Sequence, residues 1–149
     1  MGKSCAFFGH RKIELSVALN EKVKSRVEEL IKNGFDNFYF GGFGMFDELC
    51  QDVVFDLKKT YPNIKTVFCV LEEKNLRKTR LATNQKFDEY VCLSVSFDWW
   101  YTKIYYRNIE IINLSDYLIF YAKEDENSGA YKALKYAKLK RKEFINLYN

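Results

Sequence analysis

At Phe38–Glu48 the chain changes its hydrophobic period, and that change constrains the fold more than any other stretch. Phe38, Tyr39 and Phe40 form a continuous aromatic run, the pattern of a strand buried on both faces. Gly41, Gly42 and Gly44 then interrupt it. From Phe46 onward Leu49, Cys50, Val53, Val54 and Leu57 repeat at the i, i+3, i+4, i+7 spacing of one helix face. Strand, glycine turn and helix in that order aim backbone N–H groups and a positive helix end at an anion. Glycines there also let a ligand approach the main chain. The same arrangement serves as a tight strand-to-helix turn in an α/β core, and the motif by itself leaves both readings open.

The flanking stretches extend the alternation. Ser4–Phe8 reads as a short apolar strand ending at Gly9, His10 and Arg11. Leu19, Val23, Val27, Leu30 and Ile31 mark an amphipathic helix that Asn33-Gly34 closes. The helix after the glycine turn stops at Tyr61-Pro62, and Ile64–Leu71 is a third buried strand. This β-α-β-α-β order predicts a mostly parallel sheet with helices on both faces. Residues 72–86 read as a polar, basic loop with room for a short helix. After it the pattern predicts a strand at Tyr90–Val95, a helix at Thr102–Leu114 and a strand at Tyr117–Ala122. A helix over Ser128–Arg141 and a strand over Phe144–Leu147 finish the chain. The 149 residues suit a single α/β domain. With 48% apolar residues and one proline, disorder is excluded.

Cys5, Cys50, Cys69 and Cys92 stand apart in apolar surroundings, so they are expected as reduced core residues of a cytoplasmic protein. His10 is the only histidine and no metal-ligand spacing occurs, so neither a metal nor a cofactor is expected. No apolar run reaches bilayer length, which argues against a membrane partner. The net charge of +4 favours an anionic ligand. Its lysines and arginines are dispersed along the sequence, which argues against nucleic acid.

Three small-residue turns fall at the carboxyl ends of expected strands: Gly9-His10-Arg11, Gly41–Gly44 and Ser128-Gly129. An open parallel sheet binds ligands in the crevice outside those ends, so the three turns are expected to line one pocket. Arg107 sits among Tyr105, Tyr106 and Ile109; its guanidinium either pairs with Glu110 or Asp116 or offers its fork to a phosphate. His10 and Arg11 are either capping and surface groups or ligand contacts. Asp47, in a first helical turn, either meets the helix dipole or binds ribose hydroxyls. Phe97, Trp99, Trp100, Tyr101, Tyr105 and Tyr106 predict a core or dimer surface, with base stacking as the alternative.

Several of these pieces together resemble one superfamily. They are Cys5-Ala6-Phe7-Phe8-Gly9-His10-Arg11, Gly41-Gly42 with Asp47 six positions after Gly41, and Arg107-Asn108 followed by Leu114–Ile119. Ser128-Gly129-Ala130 with Tyr136-Ala137-Lys138 completes the set. In that order they resemble the SLOG superfamily, the Rossmann-like group that includes DprA-type proteins and the "lonely guy" phosphoribohydrolases. The YpsA-like branch is the nearer likeness. The resemblance covers nearly the whole chain and implies a Rossmann-like domain binding a nucleotide or nucleotide-derived molecule, as a sensor or a sequestering protein. It implies ligand contacts at Gly9, His10, Arg11, Gly41, Gly42, Gly44, Asp47, Arg107, Asn108, Ser128 and Gly129, and a homodimer, since members often self-associate. Two departures stand out. The later glycine of the Gly-Gly-…-Gly-x-Asp turn stands one place early, at Gly44. The phosphoribohydrolases carry Pro-Gly-Gly-x-Gly-Thr-x-x-Glu after the strand equivalent to Tyr117–Ala122, and Asn127–Leu134 here holds no carboxylate. Cleaving an N-glycosidic bond needs such a group, so the resemblance supports binding more strongly than hydrolysis, and enzyme activity is left open, leaning against it. The alternative is a nucleoside-monophosphate N-glycosidase using Glu48, Asp47 and Arg107. The third reading is single-stranded DNA binding of the DprA kind.

Overall fold

Six strands form one sheet in which every neighbouring pair runs parallel. The computed structural model describes residues 2–42, 44–93 and 100–148, with the backbone alone for Trp100 and Tyr101. In chain order the elements are β1 (Lys3–Gly9), α1 (Val17–Lys32), β2 (Phe35–Phe40), α2 (Met45–Thr60) and β3 (Lys65–Val70). A 3₁₀ turn at Glu73–Asn75, α3 (Leu76–Ala82), β4 (Glu89–Cys92), α4 (Trp100–Leu114), β5 (Tyr117–Tyr121), α5 (Gly129–Leu139) and β6 (Glu143–Asn146) follow. The sheet order is β4-β3-β2-β1-β5-β6. The chain therefore builds outward from β1 to β4, then returns to lay β5 on the other side of β1.

The central strands are buried on both faces, which explains why they read as apolar runs without alternation. Phe7, Phe38 and Phe40 face one core, where Phe7 stacks on Phe40 at 5.0 Å between ring centroids. There Leu19, Val23 and Val27 of α1 and Phe46, Cys50 and Val54 of α2 cover them. Ala6, Phe8 and Phe120 face the opposite core, closed by Ile111 and Ile112 of α4 and Ala133, Leu134 and Ala137 of α5. Caps set the helix starts: Ser16 Oγ accepts from Leu19 N at 3.0 Å to open α1. The Asp116 carboxylate accepts from Ser4 N at 2.9 Å, fixing β5 against β1.

The expected α/β class holds, with a wholly parallel sheet and helices on both faces. Residues 72–86 hold more order than a charged loop, namely the 3₁₀ turn and α3. The end of the expected Tyr90–Val95 strand lies outside the described residues, and β4 runs to Cys92. Cys5, Cys50 and Cys69 are buried free thiols and Cys92 is a half-buried one. Among the described residues no helix is long and apolar enough to cross a membrane. Nor do three or more of their histidine, cysteine, aspartate and glutamate side chains group so as to hold a metal ion.

Candidate functional site

A cleft of about 480 Å³ opens at the carboxyl ends of β1, β2 and β5. It lies where the sheet reverses its order between β1 and β5, and both strand ends diverge there to leave a crevice. Gly9, His10, Arg11, Gly41, Asp47, Arg107, Asn108, Ser128 and Gly129 line it, so the three turns meet as expected. Gly42 and Gly44 do not line it. Arg11, Arg107 and Lys132 supply positive charge to the walls, and Asp47 is the one carboxylate among the lining residues.

The glycine turn before α2 is filled by the protein itself. A Cβ at Gly42, whose φ is +79°, would run into the Phe68 ring. At Gly44, with φ +93°, it would lie 2.5 Å from Arg11 Cα. Arg11 O accepts from Met45 N at 2.9 Å, so a carbonyl stands at the start of α2 where the sequence places an anion. Asp47 Oδ2 accepts from Gly42 N at 3.1 Å and from Gln51 Nε2 at 2.5 Å. Burial raises the Asp47 carboxyl from 3.8 to about 6, against the lowering pull of Gln51, Arg107 and the turn's backbone N–H groups. Asp47 thus pins the glycine turn in place.

Arg107 is among the cleft's lining residues yet only 3% exposed. Its Nη1 donates to Gly41 O at 3.0 Å and Cys69 O at 3.4 Å, and its Nη2 donates to Asn108 Oδ1 at 3.2 Å. Its guanidinium fork joins the ends of β2 and β3, and Gly41 is small because a Cβ there would stand 2.6 Å from Nη2. The carboxylate partners considered from sequence are not used: Asp116 serves Ser4 and Glu110 is exposed.

The turn before α5 is built differently. Lys123 N donates to His10 Nε2 at 2.6 Å, which places the imidazole proton on Nδ1, and Nδ1 faces Ser128 Oγ at 3.2 Å. Ser128 Oγ in turn accepts from Tyr131 N at 3.2 Å and caps α5. Burial lowers the His10 pKa, opposed by Asp125. His10 is therefore a neutral strut between β1 and the start of α5. Nothing lies within 4 Å of a Cβ built on Gly129, so this helix start faces open space.

Glu48, a candidate for the enzyme alternative, points elsewhere. It lines a separate groove with Leu15, Val17 and Met45. The acidic residues Glu124, Asp125 and Glu126 also stay out of the cleft lining. Among cleft residues not singled out in the sequence are Phe7, Phe8, Ile104, Asn127 and Lys132. Lys132 had a readable signal, since it stands four positions after Ser128 on the α5 face that meets the cleft. Tyr105, expected in a core or dimer surface, lines the cleft. Of that aromatic segment, Phe97 and Trp99 lie outside the described residues.

No family model and no curated protein sequence matches the chain. Among solved structures it is similar to DNA processing protein A (DprA) from Streptococcus pneumoniae, over 96% of this chain and 49% of that one. The TM-score is 0.63 and the identity 14%. It is likewise similar to DNA processing protein A from Helicobacter pylori, whose structure was described for its single-stranded DNA binding mode. That match covers 95% of this chain and 63% of the other, with TM-score 0.63 and 18% identity. The chain thus spans about half of one neighbour and under two thirds of the other. It shares their Rossmann-like α/β fold. The expectation against nucleic acid is corrected here: a neighbour of the same fold binds single-stranded DNA. Dispersal along a sequence was a poor guide, because helices gather distant residues onto one surface.

Proposed function

We propose that this chain binds single-stranded DNA, seating a nucleotide of the strand in the cleft between β1, β2 and β5. The observation that carries the reading is the positively lined crevice at the sheet's reversal point, on a fold shared with two DprA proteins. Arg11 and Lys132 are exposed cations at its walls, suited to phosphates, and Tyr105 offers a base a flat partner. The test is fluorescence anisotropy with a labelled oligothymidylate over a salt series. Binding should weaken linearly in log–log form as salt rises, and duplex of equal length should bind less well. Absence of binding at low salt, or equal affinity for duplex, would overturn the reading.

A second reading is favoured by the size of the cleft. About 480 Å³ suits a single nucleotide or nucleotide-derived molecule, held by a sensor or sequestering protein of the YpsA-like branch. Mass spectrometry of small molecules co-purifying with the chain separates it from the first: a stoichiometric nucleotide that displaces oligothymidylate would establish it. Free base released from an added nucleoside monophosphate would instead assign hydrolysis, with Asp47 the carboxylate at hand.

A further inference from the structure

Between Gly129 and Lys142 the chain carries Lys132, Lys135, Lys138, Lys140, Arg141 and Lys142 and no carboxylate. With a net charge of +4 overall, the remainder of the chain is net negative. A groove of about 430 Å³ between α4 and α5 continues from the cleft, for Tyr105 and Lys132 line both. Lys135, Tyr136 and Leu139 line the groove alone, and Leu139 is 75% exposed. Beside the groove cations sit against aromatic rings: Lys135 Nζ lies 5.3 Å from the Tyr131 centroid and Lys140 Nζ 5.7 Å from that of Tyr136. The Tyr136 hydroxyl donates to Asn113 Oδ1 at 2.9 Å, which fixes its ring at the groove wall. Lys135 also pairs with Glu126 at 2.5 Å, and Lys142 donates to Asn113 O and Ser115 O.

We propose that the α4–α5 groove is the second section of a single-stranded DNA track that begins in the cleft. This rests on the cleft reading above. A strand leaving the cleft passes Tyr105 and Lys132, a base packs on Tyr136 and Leu139, and Lys135 and Lys140 meet the phosphates. Rings interleaved with cations along a groove bind a strand without reading its sequence, since every base has a flat face. Lys135 exchanges its carboxylate partner for a phosphate, at an exposed site where an ion pair contributes little.

The experiment compares oligothymidylates of roughly 4 and roughly 16 nucleotides. The parent chain should bind the longer one about tenfold more tightly at low salt. Lys135→Glu with Lys140→Glu, both exposed positions, should erase that gain, leave the shorter one unchanged, and lower the salt slope by about two. Tyr136→Ala should weaken the longer complex about tenfold, with melting recorded alongside because Tyr136 is half-buried. Variants that bind the longer strand like the parent overturn the track and leave the cleft reading standing. Equal loss on both lengths also overturns it. A parent that binds neither length overturns both readings, and a preference for anionic phospholipid vesicles over either strand overturns the track.

Discussion

The chain has two glycine turns that open helices at the same edge of the sheet, and they are built for opposite ends. At Gly41–Gly44 the space beside the glycines is occupied by Arg107, Phe68 and Arg11, and the start of α2 is answered by Arg11 O and Asp47. At Ser128-Gly129 the start of α5 is capped by Ser128 and braced by His10, and the space beside Gly129 is empty. Glycine serves self-packing in the first and openness in the second. The turn with more glycines therefore leaves less room beside its backbone. A glycine count alone does not separate a cradle for an anion from a gap for a neighbouring side chain.

Three substitutions at the closed turn sharpen this contrast. Gly42→Val should have the largest effect, about 4 kcal/mol of lost stability in a denaturant titration, from a positive φ and a collision with Phe68. A folded Gly42→Val chain of parental stability would show that the turn has room after all. Arg107→Ala should lose about 3 kcal/mol, because Gly41 O and Cys69 O lose a donor and Asp47 loses a neighbouring cation. Arg107→Lys should regain part of this, since an ammonium keeps the charge without the planar fork. The loss should appear in stability before it appears in binding, as the Arg107 fork is engaged at two strand ends.

Asp47→Asn probes the same turn through pH. The native carboxyl holds its proton to about 6 while the unfolded one releases it near 3.8. Its contribution is therefore complete below about pH 4 and is lost as pH rises through about 6. Asparagine has no such loss, so the variant should gain on the parent by about 2–3 kcal/mol between pH 4 and 7. The open turn should respond the other way. His10 is kept neutral, so its contribution is present above the unfolded value of about 6.5 and is lost as pH falls below it. A His10 ring resonance titrating above 6.5 would contradict the strut to Lys123 N and Ser128 Oγ.

Much of the fold was legible because burial erases alternation: Phe38–Phe40 and Ser4–Phe8 read as strands, and the helices showed their apolar faces. The convergence of three turns was legible as well, since parallel strands deliver their carboxyl ends to one edge. What each turn residue does there was not. For Arg107 the sequence left a carboxylate pair and a phosphate both open, and the structure engages its fork with carbonyls 66 and 38 positions away and with the neighbouring Asn108. Phe68 explains Gly42, and no local pattern connects a β3 ring with a glycine after β2. Glu48 and Asp47 are adjacent in sequence, yet only Asp47 lines the cleft, while Glu48 lines another groove. The basic surface escaped notice because only α5 packing on α4 turns spaced lysines into one groove.

Gly129→Val addresses the open turn and should change stability least. The position has no positive φ to strain and no atom within 4 Å of the added Cβ. It is the first residue of α5, behind the Ser128 cap, so a β-branched side chain there meets no preceding turn. Stability should stay within about 0.5 kcal/mol of the parent. Gly129 lines the cleft, however, so an isopropyl group there narrows the space at its edge. Oligothymidylate binding should fall about tenfold, roughly 1.4 kcal/mol, while the melting temperature holds. Gly42→Val lowers binding only by unfolding the chain, whereas Gly129→Val lowers it in a folded one. A Gly129→Val chain that melts and binds like the parent would place the ligand away from α5 and remove the functional half of the contrast between the turns.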